Sequence, residues 1–142
     1  FIVSGGDDAR VSVWSRRTRE LLIQFNDHVR PVLEVMLDAV SPSLIHSCGA
    51  DRSVFSFDLK TEKRVVGHQL TKTQAGGLTC LSQRTDSEQE LATGTVDGMV
   101  LFWDCDVVDK PVGRIDLPTR VRINDIAVSP TGKWLAVASD DS

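Results

Sequence analysis

The sequence predicts an all-β fold assembled from repeated four-stranded antiparallel units, and three observations predict it. Aspartates recur at steps of 43, 46 and 44 residues, a bulky aromatic follows the first three of them after six positions, and short β-prone runs fill the intervals. A period of about 40–45 residues with four short strands in each period is that of the blades of a β-propeller. The aspartates are Asp8, Asp51, Asp97 and Asp141, and the aromatics are Trp14, Phe57 and Trp103.

The first unit supplies three predicted strands. Residues 1–5 and 11–14 are β-prone runs on either side of the turn that holds Asp8, and residues 21–25 follow a polar link at 15–20. Short runs of apolar residues between Gly, Pro, Ser, Asp and Asn are typical of all-β proteins.

The second and third units each supply four predicted strands, and the fourth supplies two. No sustained 3.6-residue apolar period interrupts them, so we expect no helix. The result is 13 strands in a single partial propeller domain, about three blades of a larger propeller, with units at approximately 1–26, 27–67, 68–118 and 119–142. The strands predicted for the last three units are residues 32–37, 43–48, 54–58, 64–66, 77–82, 90–95, 99–104, 112–117, 123–128 and 134–139.

Composition narrows the class of function. Lys and Arg number 16 against 20 Asp and Glu, so the net charge is -4 and no basic face for nucleic-acid phosphates is expected. Hydrophobic residues make up 41% of the chain, in runs too short to cross a membrane. We therefore expect neither direct nucleic-acid binding nor a membrane span.

The cysteines are odd in number and widely spaced: Cys48, Cys80 and Cys105. This pattern argues against a disulfide framework and favours a reducing compartment. An intracellular, cytoplasmic location follows as an expectation.

Several dipeptides and one longer run resemble the WD-repeat β-propeller family over essentially the whole chain. Trp103-Asp104 matches the pair that gives the family its name, and the run VSPTGKWLAVASDD at 128–141 is similar to the family's hairpin and inner strands. The weaker counterparts are Trp14-Ser15, Phe57-Asp58, Asp27-His28 and Gly67-His68.

The resemblance implies a buried hydrogen-bond relay in each unit, from the aromatic through a Ser or Thr to a His and on to the turn Asp. Phenylalanine has no N–H to donate, so the relay of the second unit should be one bond shorter. Nine residues separate His68 from Leu78, which leaves open whether His68 reaches its Asp. The last unit departs from this pattern, with Thr119 where the resemblance implies His and Val137 where it implies Ser or Thr. The relay residues are Ser4, Asp8, Trp14, His28, Ser47, Asp51, Phe57, His68, Thr93, Asp97, Trp103 and Asp141.

No catalytic, metal-binding or cofactor-binding residue is predicted. A Ser-His-Asp triad needs an exposed nucleophile beside an oxyanion hole, and no G-x-S-x-G turn occurs. Asp104, Asp106 and Asp109 do not complete a calcium loop. His46 and Cys48 share a strand face but lack further zinc ligands, so His46 is expected to be a partly buried strand residue.

A propeller presents two rims of loops, and loops on a rigid scaffold are where binding is usually found. The resemblance implies that one rim carries Asp7, Asp140, the segment 69–77 and four arginines, and that the other carries an arginine-rich link and the acidic stretch 84–90. Clustered guanidinium groups can bind carboxylates of a partner, although exposed charge pairs yield only about 0–1 kcal/mol and a solvated hairpin tip is the alternative. The candidate contact residues are Arg16, Arg17, Arg19, Arg30, Arg52, Arg120 and Arg122.

The main functional hypothesis is a non-enzymatic scaffold that holds other proteins by its rims. Similarity in style to divergent flagellar WD-repeat proteins suggests a ciliary or cytoskeletal microtubule-associated complex. The alternatives are an adaptor in signalling or ubiquitin ligation, or a segment of a catalytic propeller whose channel acids would be Glu34 and Asp125. Since propellers close with about 4–8 blades, we expect the rest of the propeller in the same or a neighbouring chain and self-association of this segment alone.

Overall fold

The computed structural model describes residues 1–86, 90–104 and 110–141. Within these ranges every regular element is a β-strand, as the sequence predicts, and the bounds of all but one strand agree with prediction to within two residues. The strands are β1 (Ile2–Gly5), β2 (Val11–Trp14), β3 (Leu21–Phe25), β4 (Val32–Leu37), β5 (Leu44–Gly49), β6 (Ser53–Asp58), β7 (Lys63–Gln69), β8 (Leu78–Arg84), β9 (Glu90–Thr95), β10 (Met99–Asp104), β11 (Gly113–Asp116), β12 (Ile123–Val128) and β13 (Leu135–Ser139).

The strands form four antiparallel sheets in chain order. The first sheet has the order β1-β2-β3, the second β4-β5-β6-β7, the third β11-β10-β9-β8, and the fourth pairs β12 with β13. Neighbouring strands in the chain are neighbours in each sheet, as expected for meanders joined by short turns. The four-stranded sheets confirm the predicted class of fold.

The sheets pack face to face, and an apolar cluster lies at each junction. Between the first two sheets, the rings of Phe25 and Phe57 stack with centroids 4.2 Å apart, and Val13 and Ile45 are buried beside them. Trp103 lies in the cluster between the second and third sheets, and Ile123 lies in the one between the third and fourth. Each sheet therefore buries its apolar surface against the next one, which is the arrangement of propeller blades.

β7 corrects one prediction. It was expected at 64–66 but extends over Lys63–Gln69, because β6 begins at Ser53 and offers pairing partners up to Gln69. The Gly67-His68 dipeptide thus lies within a strand, with His68 paired to Val54, and the predicted unit boundary at residue 67 falls inside this sheet.

Two irregularities recur from sheet to sheet. The residue after the turn Asp has a left-handed backbone in each described case, with φ of 65° at Ala9, 66° at Arg52 and 77° at Gly98. The innermost strands β4, β8 and β12 each carry a register shift near their start. That shift places Glu34, Cys80 and Asp125 at equivalent positions of the three strands.

Across the described ranges, no helix is long and apolar enough to cross a membrane.

Candidate functional site

Three residues of the second unit form a continuous buried chain of hydrogen bonds. Nδ1 of His28 lies 2.9 Å from Oδ2 of Asp51, and Nε2 of His28 lies 2.8 Å from Oγ of Ser47. All three residues are buried. Phe57 makes no bond in this chain and instead packs on Phe25 and Phe55, as expected for a ring without a donor.

The acceptor in this chain fixes the proton positions. A carboxylate only accepts hydrogen bonds, so Nδ1–H of His28 donates to Asp51 and Nε2 accepts from the hydroxyl of Ser47. Burial alone would favour the neutral acid, but hydrogen bonds from His28 and from the backbone N–H groups of Val29 and Ser53 hold the pKa of Asp51 below its ordinary value. The carboxylate thus stays ionised and locks one tautomer of the ring.

The first and third units share a shorter link. The indole Nε1–H donates to a hydroxyl on the neighbouring strand at 2.9 Å in both, from Trp14 to Ser4 and from Trp103 to Thr93. The ring of His68 lies against Trp103 with centroids 5.1 Å apart. The turn aspartates of these units accept backbone N–H groups, Asp8 from Arg10 and Asp97 from Gly76.

The fourth unit binds its turn Asp with hydroxyls, where the second unit uses His28. The Thr119 hydroxyl donates to Oδ2 of Asp141 at 2.7 Å, and the Ser139 hydroxyl donates to Oδ1 of the same carboxylate. Val137, which stands where Ser or Thr was expected, packs against the apolar cluster between the third and fourth sheets.

The turn aspartates also fasten the loop that precedes each innermost strand. Asp51 accepts from the Val29 N–H, Asp97 from the Gly76 N–H, and Asp141 from Thr119. The Asp turns and these loops therefore share one edge of the stack, which we call the Asp rim. The opposite edge, which carries the β4–β5 and β6–β7 turns, is the distal rim.

A second buried network lies near the distal rim and was missed in the sequence. Nε2–H of His46 donates to Oδ2 of Asp38 at 2.8 Å, and Nδ1 accepts from the Ser56 hydroxyl at 2.8 Å. The amide of Gln83, from the third sheet, donates to the same Asp38 oxygen at 2.8 Å and accepts from the Ala39 N–H. The network thus ties the second sheet to the third.

His46 was expected to be partly buried, and this expectation was wrong: the residue is fully buried, with an exposure of 1%. Burial lowers the pKa of His46 despite the neighbouring carboxylate of Asp38, so the ring is neutral and protonated on Nε2. His28 carries its proton on the other nitrogen. The feature that could have revealed this network is the pair of polar residues His46 and Ser56, which face each other on adjacent strands.

Both serine–histidine–aspartate sets are closed to a substrate. Ser47 is 0% exposed and Ser56 is 2% exposed, whereas a nucleophile must reach the reacting carbonyl. Their chemistry is to satisfy buried donors and acceptors, each of which would cost about 1–3 kcal/mol if left unpaired.

The innermost strands bring together the acids considered for a catalytic channel. Oε2 of Glu34 accepts from the Leu81 N–H at 2.5 Å. Burial raises the pKa of Glu34, the Leu81 bond opposes that shift, and Asp125 adds to it. Burial also raises the pKa values of the Cys48 and Cys80 thiols, which are unpaired. Among the described residues, no group of three His, Cys, Asp or Glu side chains could hold a metal ion.

The predicted contact arginines divide between the two edges. Arg16, Arg17 and Arg19 are exposed in the β2–β3 turn, where Arg19 has φ of 64°. Arg30, Arg120 and Arg122 are exposed on the Asp rim, whereas Arg52 is half-buried and donates to the Leu70 carbonyl. The loop predicted at 69–77 begins one residue later, at Leu70, because Gln69 is the last residue of β7.

Some residues named in the sequence analysis lie outside the described residues. They are residues 87–89 of the acidic stretch, Cys105, Asp106 and Asp109.

Stacked antiparallel sheets with aspartate-tied turns define the class of repeat propellers. A sequence model of the family "WD domain, G-beta repeat" matches residues 60–104 and 110–142. The chain belongs to the WD40 repeat family. The first match joins β7 of the second sheet to the three inner strands of the third, so the sequence repeat is offset from the sheet.

A curated protein gives a second comparison. The chain is similar to the Periodic tryptophan protein 2 homolog of Dictyostelium discoideum, with 28% identity over 145 residues that cover 99% of this chain and 15% of that protein. The chain therefore spans 15% of the length of this relative.

Proposed function

We propose that this chain is a non-enzymatic section of a protein-interaction scaffold, which holds partner proteins on its two rims. The observation that carries the proposal is the separation of the polar residues. Those with catalytic chemistry, such as Ser47, His28 and His46, are buried in hydrogen-bond networks, while arginines crowd the exposed loops. WD40 repeats indicate such scaffolds, and loops on a rigid core are the usual place for binding.

The β2–β3 turn of the distal rim is the first candidate contact. It is held by backbone bonds from Ser15 to the Glu20 carbonyl at 2.9 Å and from Arg19 to the Ser15 carbonyl at 2.8 Å. Three guanidinium groups on one fixed turn suit bidentate pairing with the carboxylates of an acidic segment.

The setting of the scaffold is part of the proposal. An intracellular, reducing compartment is supported by the unpaired buried thiols of Cys48 and Cys80. The rest of a propeller, in the same or a neighbouring chain, is the partner expected at the outer faces of the end sheets. A ciliary or cytoskeletal complex and an adaptor role in signalling or ubiquitin ligation stay predictions, and no described residue favours one over the other.

Affinity capture from a native extract tests the scaffold proposal, with chemical crosslinking and mass spectrometry to locate the contacts. The wild-type full chain is compared with the triple variant Arg16→Ser, Arg17→Ser, Arg19→Ser and with a second triple variant at Arg30, Arg120 and Arg122. A charge-matched comparison changes three exposed lysines, Lys60, Lys63 and Lys110, to Ser, and so separates a specific requirement for the arginines from a general loss of positive charge. We expect crosslinks at the rims and loss of a subset of proteins with one arginine variant. Unchanged capture by both arginine variants contradicts the rim assignment.

A further inference from the structure

A small polar cavity of about 180 Å³ lies on the Asp rim, between the loop that follows β7 and the third sheet. Its walls include Lys72 and Gln74 from the loop, Asp97 from the Asp turn, Arg114 from β11, and Arg120 from the segment before β12. Three separate segments of chain thus bring cationic side chains to one hollow. The volume is below the 300–1,000 Å³ usual for whole small-molecule ligands, so a side-chain head group is the appropriate size of occupant.

The loop wall of this cavity is built by its own hydrogen bonds. The Thr71 N–H donates to Oε1 of Gln74 at 2.8 Å, and the Gln74 N–H donates to the Thr71 carbonyl at 3.1 Å. Leu70 and Ala75 are buried and anchor the two ends of the turn. Lys72 therefore projects from a fixed turn, which lowers the ordering cost of binding.

Arg120 is held in an unusual backbone conformation. Its φ is 45°, a left-handed value that is uncommon for residues other than glycine. Gly98 packs so closely that a Cβ at that position would lie 2.7 Å from the Cα of Arg120. Non-glycine residues in such conformations cost free energy and are concentrated at binding and active sites.

The charges of the cavity leave an excess of positive charge. Arg114 is paired with Asp116, with Nη2 2.6 Å from Oδ1. Oδ2 of Asp97 accepts the Gly76 N–H, so one oxygen of this carboxylate is already engaged within the fold. In the part of the chain that the structure describes, Lys72 and Arg120 make no ion pair. Two free cations then face one carboxylate.

We propose that this cavity, with Lys72 and Arg120 as its charged groups, binds an anionic side chain of a partner protein, either a carboxylate or a phosphorylated residue. The proposal rests on the scaffold function and specifies the chemistry of one contact. Lysine and arginine donate charge-assisted hydrogen bonds to both kinds of group, and a guanidinium binds a carboxylate or phosphate through two bonds.

Nuclear magnetic resonance titration of the ¹⁵N-labelled full chain tests the site. The probes are three pentapeptides of one Gly-Ser sequence whose central residue is phosphoserine, glutamate or serine. We expect the amides of Lys72, Gly76 and Arg120 to shift with the first two peptides and not with the third. The relative strength of the two anionic arms distinguishes a phosphate from a carboxylate preference.

Variants assign the binding to the two cations. Lys72→Gln removes one charge, and Arg120→Asn removes the other while keeping a residue that tolerates the left-handed backbone. Each is expected to weaken the binding of the preferred peptide by about tenfold, the loss expected for one charge-assisted bond. The matched control is Arg10→Gln, an exposed arginine beside the Asp turn of the first sheet, which should bind as wild type. Spectra that are unchanged away from the cavity show that each variant is folded.

Three results would overturn the proposal: equal shifts with the serine peptide, binding unaffected by both variants, or stronger shifts at the same amides with a six-nucleotide RNA. The last result would assign the cavity to a nucleic acid instead of a protein. Failure here is distinct from failure of the scaffold function, because capture of partners through other rim residues would persist.

Discussion

Two histidines of the second unit differ in the nitrogen that carries their proton, and the difference comes from where their carboxylates lie. Asp51 faces Nδ1 of His28, whereas Asp38 faces Nε2 of His46. The first set was predicted through the resemblance to the WD-repeat family, supported by the constant spacing of four residues between the Ser or Thr and the turn Asp in the first three units. Asp38 and its partner Gln83 have no such repetition and meet only through the packing of two sheets, so no periodic pattern identifies them.

Glu34 gives the clearest prediction at a single residue. Its pKa is raised above the ordinary 4.5, mainly by burial, so the charged carboxylate destabilises the folded state. A group whose pKa is higher in the folded than in the unfolded state stabilises the fold at pH values below its unfolded-state pKa. That stabilisation is lost as the pH rises through its folded-state pKa. Glu34→Gln cannot ionise and keeps an oxygen for the Leu81 N–H. Relative to wild type, the variant should therefore be more stable at pH 7 than at pH 4.

Urea denaturation at the two pH values checks this prediction. The control is Glu20→Gln, at an exposed position. If the difference in free energy of unfolding between Glu34→Gln and wild type does not change with pH, the burial argument is wrong.

At the scale of the strands and sheets, neighbouring sheets are joined by polar bonds as well as by apolar packing. The Thr79 hydroxyl donates to the Ile123 carbonyl at 2.6 Å, and the Val128 N–H donates to Ser82 at 3.1 Å, both between the third and fourth sheets. The strands themselves were predictable from turn residues and β-prone runs. The extension of β7 and the bonds between sheets were not, because they depend on register and on which faces meet.

The bond between Asp38 and Gln83 should couple the second and third sheets. We expect a double-mutant cycle of Asp38→Ala and Gln83→Ala to give an interaction energy of about 1–3 kcal/mol, because each change leaves a buried polar partner unsatisfied. Equilibrium urea unfolding of the four proteins in the cycle measures it.

A matched cycle within one sheet is the control for this coupling. Gln24, which is exposed, donates to Ser12 at 3.3 Å in the first sheet, and its cycle should give under about 0.5 kcal/mol. Additive effects at Asp38 and Gln83 would mean that this bond does not couple the two sheets.

The whole molecule leaves apolar surface at both ends of the stack. Ile2, Leu21 and Leu22 of the first sheet are exposed, and Trp134 beside the fourth sheet is 76% exposed. Trp134 borders a cavity of about 310 Å³ that is also lined by Ile115. Sequence spacing predicts the number of strands but not how the end faces are covered, because that depends on contacts outside the repeat.

The 142-residue chain should self-associate through these faces. Sedimentation velocity should show concentration-dependent oligomers, and Trp134→Lys with Ile115→Lys should reduce them. Val65→Lys, at an exposed position of β7, is the matched control and should not. A monodisperse wild-type monomer that melts cooperatively would contradict the prediction.

The offset between sequence repeat and sheet bears on how the number of repeats in such a protein can change. The segment 60–104 holds β7 of one sheet and β8, β9 and β10 of the next. If that segment is excised, β11 takes the place of β7 beside β6, and the remaining sheets keep their strand numbers. Duplication of the segment would add one four-stranded sheet, and the other sheets would again keep their strand numbers. Because a sheet draws its strands from two sequence repeats, the number of repeats can change without leaving a sheet that lacks a strand where the change occurs.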